Sequence, residues 1–234
     1  MNLFQMKIKI ILGLAVSVLI TSCAVNSSKL QKQITERLNE NKKNDTLSYK
    51  IKSNNIIELK LNQDISLTTN CKQIKSSFIP AIFYWGWNSE VICELSKENI
   101  ENQLKKDLIV KIEKEGLQTY FEDKKLQLTI DEIPTQFKFQ DKGDVIYLVF
   151  GYIMSQKRYF APELKRFKGS YQILDKENKV LVAGGFTEPL ALKSQTSIVK
   201  STKKLSWQYL DNYNLEINRF VSVVLTDLKT KIKQ

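Results

Sequence analysis

The chain has 234 residues, 36 Lys and Arg against 25 Asp and Glu, no His, and a formal net charge of +11. That length suits one domain with a sizeable core, and an apolar share of 42% is that of a globular chain rather than a disordered one. Without His there is no Ser-His-Asp or Cys-His nucleophile activation, no imidazole metal ligand and no usual general base near neutral pH, so an enzyme would be left with paired carboxylates or a Lys base.

The N-terminus has the parts of an export signal. Lys7 and Lys9 precede an apolar run from Ile10 to Ile20, too short for a permanent membrane span, and Ile20-Thr21-Ser22-Cys23 follows. This arrangement resembles the lipobox of bacterial lipoproteins. The resemblance implies that residues 1–22 are a removed signal peptide and that Cys23 carries a diacylglyceryl group, with two or three acyl chains, such as palmitate, giving a stable anchor. Ala24, where an Asp would mark inner-membrane retention, implies an outer-membrane protein facing the periplasm. The alternative is an ordinary secreted protein cut at a small residue. Outside the cytoplasm a basic surface meets anionic head groups, glycolipid phosphates or acidic partners more readily than nucleic acid; the plainer reading is that the charge only solubilises.

Residues 23–46 read as a lipidated N-terminus and polar tether, with Asn41-Lys42-Lys43-Asn44-Asp45 at its end. Leu30, Ile34 and Leu38 recur every four residues, so a short amphipathic helix is the other reading, although so thin a stripe holds a helix weakly. Residues 47–234 read as a single domain. Ile57, Leu59, Leu61, Ile65, Leu67, Thr69 and Cys71 alternate with mostly polar residues, which predicts half-buried strand, interrupted near Asn62-Gln63-Asp64. Val91, Cys93 and Leu95 continue the period on a second strand. Ser96 then caps a helix whose stripe is Ile100, Leu104, Leu108 and Ile112 and which Gly116 ends. Leu126, Leu128 and Ile130 alternate up to Pro134. Val145 to Met154 is almost continuously apolar and predicts a central strand buried on both faces. Phe167–Leu174 and Val180–Phe186 flank Asp175-Lys176-Glu177-Asn178-Lys179 as a hairpin. A last helix carries the stripe Ile198, Leu205, Tyr209, Tyr213, Ile217, Phe220, Val221, Val224, Leu228 and Ile232. The order predicts an α+β domain, an antiparallel sheet of about five to six strands with two amphipathic helices on one face. That order resembles small envelope lipoproteins, including transporter-auxiliary lipoproteins and the lipoprotein plug of the lipopolysaccharide translocon.

Three groups of residues are candidate sites. Cys71 and Cys93 share the inward phase of neighbouring strands, and in an oxidising compartment they are expected to form one disulfide; with no CxxC spacing, a redox or metal pair is the weaker alternative. Phe83, Tyr84, Trp85 and Trp87 lie in the densest aromatic segment, either filling the core or forming an exposed docking patch. Lys157, Arg158, Lys165, Arg166 and Lys168 interleave with aromatics after the central strand, as an anionic-lipid or glycolipid patch or as a solvated loop. Asp131-Glu132 and Asp141 with Asp144 are the close acidic pairs, both beside expected turns; Asp131 and Glu132, adjacent on a strand, point to opposite faces and make a poor acid/base pair, and Gly184-Gly185 lacks a phosphate-loop frame. No catalytic residue, metal site or cofactor is expected. The expectation is a non-enzymatic envelope protein that binds or helps assemble a membrane complex; the alternative is a lipid or glycolipid transport accessory protein. Its partners would be the membrane through the lipid, and an envelope complex or an anionic lipid.

Overall fold

The computed structural model describes residues 26–43, 56–192, 195–197 and 200–233. The signal segment, Cys23, Asp45 and Ile198 lie outside the described residues. The described residues form an α+β fold with three α-helices and two sheets, rather than one sheet with two helices. The first sheet has the order β1-β4-β7-β8, from β1 (Ile57–Leu61), β4 (Lys125–Glu132), β7 (Arg166–Leu174) and β8 (Val180–Pro189). The second has the order β2-β3-β5-β6-β9, from β2 (Asn70–Pro80), β3 (Tyr84–Glu94), β5 (Gln136–Leu148), β6 (Gly151–Pro162) and the three-residue β9 (Gln195–Ser197). The chain makes two short changes of sheet, three residues each, at Ile133-Pro134-Thr135 and at Glu163-Leu164-Lys165, and Pro134, without an N–H, interrupts the ladder at the earlier of these. Among the described residues every strand pair is antiparallel except β1 with β4, which the hairpin β2–β3 and a helix separate in sequence.

The residues expected to be a tether form a helix instead, α1 (Ser27–Lys43). Its thin stripe suffices because partners far along the chain meet it. Leu30 and Ile34 are fully buried, the Trp207 indole donates to the Gln33 carbonyl, and Arg37 forms a bidentate pair with Asp211. The helix α2 (Lys97–Lys114) follows the expected signals. The Ser96 side chain accepts from the Asn99 N–H, Ile100, Leu104, Leu108 and Ile112 are buried, and Gly116 takes a φ of 68° beyond the end. The last helix, α3 (Thr202–Ile232), ties the two sheets together. Tyr209 packs on Phe137 and Phe160 of the second sheet, with ring centroids 4.9 and 5.4 Å away, and Phe220 stacks on Phe167 of the first at 4.7 Å. Among the described residues the core begins at Leu30.

Two further expectations are corrected. Val145 to Met154 is not a buried central strand: β5 and β6 meet there in a tight turn at Val149-Phe150, and the run is largely exposed. Lys157 to Lys168 is not a loop: it is the end of β6, the crossing, and the start of β7. Asp141 and Asp144 likewise stand within β5 rather than at a turn.

Candidate docking site at the hairpin end

The hairpins β2–β3 and β5–β6 lie side by side because β3 pairs with β5, and their turns fall at the same end. The Tyr147 N–H donates to the Phe83 carbonyl at 2.8 Å, which fixes one turn against the other. Register sorts the side chains into ranks running from the core toward that end. On the inward face the first ranks are Cys93 and Phe137, then Val91, Phe139 and Phe160, all core residues. A polar rank follows, Ser89, Asp141 and Arg158. Next come Phe78, Trp87, Gly143 and Gln156, then Trp85 beside Val145 and Met154, then Tyr147 and Tyr152, so Phe78, Trp85, Tyr147 and Tyr152 form a staggered row of rings from all four strands.

Asp141 organises the polar belt. It is fully buried and accepts from the Trp87 Nε1–H at 3.1 Å, from Gln156 Nε2 at 2.9 Å and from Arg158 Nε at 3.0 Å. Arg158 also donates to the Lys200 carbonyl. Gly143 is needed beside it, because a Cβ there would stand 2.4 Å from the Trp87 ring. Trp87 is therefore half-buried packing below the belt, not an exposed docking residue. Trp85 is half-buried in the ring row, at 5.0 Å edge-on to Tyr147 and 6.4 Å from Phe78, and Tyr147 stands 6.4 Å from Tyr152.

Beyond the ring row the surface is aliphatic and aromatic on both faces of the sheet. Ile82 is 87% exposed, Val149 89%, Phe83 68%, and Phe150 fully; Ile79, Tyr84, Leu148, Tyr152, Ile153 and Met154 are exposed as well. Neither these residues nor Trp85, Val145 or Ile146 belong to the core cluster or pack against it. The two open alternatives for the aromatic segment are thus divided within it: Phe83 and Tyr84 are exposed, Trp85 and Trp87 half-buried. The sequence reading missed the larger half of the patch, contributed by β5 and β6.

The five cations of the second candidate group do not come together. Arg158 is taken up by Asp141, and Arg166 makes a two-bond pair with Glu132, whose carboxyl it holds below the usual range. Lys165 is exposed at the crossing and Lys168 on β7 of the other sheet. Lys157 stays on the hairpin, directly across the ladder from Lys142, and both are exposed. Cys71 and Cys93 are directly paired across β2 and β3 and form a disulfide, S–S 2.01 Å, at the base of the hairpin.

The described residues also line a cleft of about 370 Å³ between the end of α2 and the 3₁₀ turn Thr119–Phe121, with Ile56, Ile109, Ile112 and Phe121 in its wall. A smaller void of about 30 Å³ lies among the three helices. Neither separates the helices from the sheets. Among the described residues no three of His, Cys, Asp and Glu come close enough to share a metal ion, and no helix is long and apolar enough to cross a membrane. No protein-family model matches the chain, and no curated protein and no solved structure matches it.

Proposed function

We infer that the protein is a non-enzymatic, lipid-anchored component of the cell envelope, held at the outer membrane through Cys23, that docks on a membrane-borne target through the end of its paired hairpins. The observation that carries this is the hairpin end itself: an apolar surface on two fixed turns, held away from the core by the belt around Asp141. Surfaces of this kind mark interaction sites, since water contact with so much clustered apolar area is unfavourable. The lipobox-like Ile20-Thr21-Ser22-Cys23 supplies the location. The reading as a lipid carrier has less support, because a carrier needs an apolar chamber of several hundred Å³ that encloses its cargo, and the cleft of about 370 Å³ among the described residues opens at the end of α2 rather than between layers.

Two measurements test it. An alkyne fatty acid fed to producing cells should label the parent and not Cys23→Ala; an unlabelled parent overturns the anchor. A Phe150→Cys variant should be shielded from a hydrophilic maleimide in intact envelopes and open after purification, while Glu177→Cys, in the turn of the other sheet, stays open in both. Equal reaction of the two positions in envelopes overturns the docking role.

A further inference from the structure

We propose that the occupant of the hairpin end is the lipid bilayer: the two turns dip into the acyl boundary of a membrane leaflet and give the protein a second point of attachment. This deepens the docking reading by naming what the patch meets.

Three observations favour a bilayer over a protein groove. First, the apolar residues stand on both faces of the sheet. Tyr84, Ile146, Ile153 and Leu148 share one face; Trp85, Val145, Met154, Tyr147 and Tyr152 share the other, with Ile82, Val149 and Phe150 in the turns. Side chains alternate along a strand, so a partner seated on one face leaves the other in water, whereas immersion covers both. Second, the ranks follow the chemistry of a membrane interface. Aliphatic turns come first, then the rings of Tyr147 and Tyr152 and of Trp85, then Asp144 and Ser155, then Phe78 level with Gly143, then Lys142 and Lys157. Trp and Tyr favour the head-group level, where an apolar ring and a polar tip are both satisfied, and lysines favour the anionic layer outside it. At about 3.3 Å per residue the step from Val145 to the turn is roughly 13 Å, within the about 15 Å of hydrocarbon in one leaflet. Third, Lys142 and Lys157 face each other directly across the ladder. Like charges so placed repel, and among the described residues no carboxylate bridges to either. An anionic surface relieves that repulsion.

The sheet also limits how deep it can go. At this end β2 is an edge strand along its length, and among the described residues the outer edge of β6 from Gly151 to Lys157 has no strand partner, since β9 pairs only with Arg158, Tyr159 and Phe160. Open strand edges keep unpaired N–H and C=O groups, which the hydrocarbon interior does not tolerate. Insertion therefore stops with the turns in the acyl boundary and the ring row among the head groups.

The test uses the chain from Ala24, which lacks the apolar leader and the acylated cysteine but keeps every core residue from Leu30 on. It is mixed with vesicles of phosphatidylcholine alone or with one quarter phosphatidylglycerol. The parent should sediment with the anionic vesicles, and its Trp fluorescence should be quenched by lipids brominated near the head-group end of the acyl chain. Ile82→Ser with Val149→Ser and Phe150→Ser should lower partitioning at least about tenfold, since burial of each large side chain is lost. These positions are outside the core, so the melting temperature should hold, and that is checked in the same samples. Lys142→Gln with Lys157→Gln should weaken binding to the anionic vesicles and leave the weak binding to neutral ones unchanged. A parent that stays with neither vesicle, or a triple variant that binds as well as the parent, overturns the proposal. If Phe150→Cys is nonetheless shielded in envelopes, the docking reading stands and the occupant is a protein, or a second copy joined edge to edge.

Discussion

Asp141→Ala tests whether the polar belt is what holds the hairpin end to the body of the protein. The carboxylate is 1% exposed and its Arg158 partner 20%. Removing it strands three donors: the Trp87 indole, the Gln156 amide and the Arg158 guanidinium. Breaking a buried ion pair from one side costs about 3–5 kcal/mol, because the remaining charge is left without its partner. Arg158 keeps some water and its bond to the Lys200 carbonyl, which places the cost near the lower end, about 3 kcal/mol. For a domain of this size each kcal/mol moves the melting temperature by about 2–4 °C, so a fall of roughly 6–12 °C is expected. The assay is urea unfolding followed by circular dichroism, with the midpoint read at an unchanged slope. Asp141→Asn, which keeps the shape and one acceptor oxygen, should fall between variant and parent. A loss under about 1 kcal/mol for Asp141→Ala would refute the reasoning, since that is the size of an exposed pair.

Two more outcomes follow from the core. Phe220→Ala should cost about 3–5 kcal/mol, because the ring is fully buried, stacked on Phe167 and edge-on to Phe186; equilibrium unfolding showing less than about 1 kcal/mol would place α3 elsewhere. Asp107 is buried between helices, and burial, partly offset by bonds from Gln103 and Asn218, raises its pKa above the ordinary carboxylate range. A raised carboxyl favours the fold while protonated and weighs against it as pH climbs through the folded pKa. Asp107→Asn should therefore raise the melting temperature at pH 7 and lose that advantage in acid below the ordinary Asp pKa; an advantage that does not change with pH counts against the assignment.

What could be read from sequence was local. The α2 cap at Ser96, the stripe of α3 and the β7–β8 hairpin each announce themselves within a dozen residues, by period, cap or turn chemistry. The disulfide was legible because phase along a strand fixes the face, and Cys71 and Cys93 share it. Depth in the fold was not legible. The stripe Leu30, Ile34 and Leu38 becomes a docked helix only through Trp207 and Asp211, far along the chain. The run Val145 to Met154 has the composition of a buried strand, yet polar residues mirror one another about Val149 and Phe150: Asp144 with Ser155, Lys142 with Lys157. That mirror was the available sign of a hairpin. It went unread because an apolar run is ordinarily a core run, and here no core is present to receive it. The cation-rich stretch misled for the opposite reason. Its spacing in sequence crosses from one sheet to the other, so five charges close in the chain become an ion pair, a buried belt and three separate lysines.

The arrangement of the two hairpins separates folding from exposure. On the inward face, apolar ranks near α3 give way to Ser89, Asp141, Arg158 and Gln156 before apolar rings resume. A core does not need this interruption, and a buried carboxylate in the middle of a sheet is expensive to desolvate. With the belt in place, water reaches a polar boundary instead of a continuous hydrophobic face, so the rings beyond it form a surface of their own and the core closes without them. On the docking reading, the hairpin end would meet a partner without loosening the body. The exposed large side chains there, Ile82, Phe83, Val149 and Phe150 foremost, carry an unfavourable contact with water that no described residue relieves. Among the described residues nothing covers that surface, which is why the docking reading looks to an outside partner, with the belt keeping the effect of such a contact local.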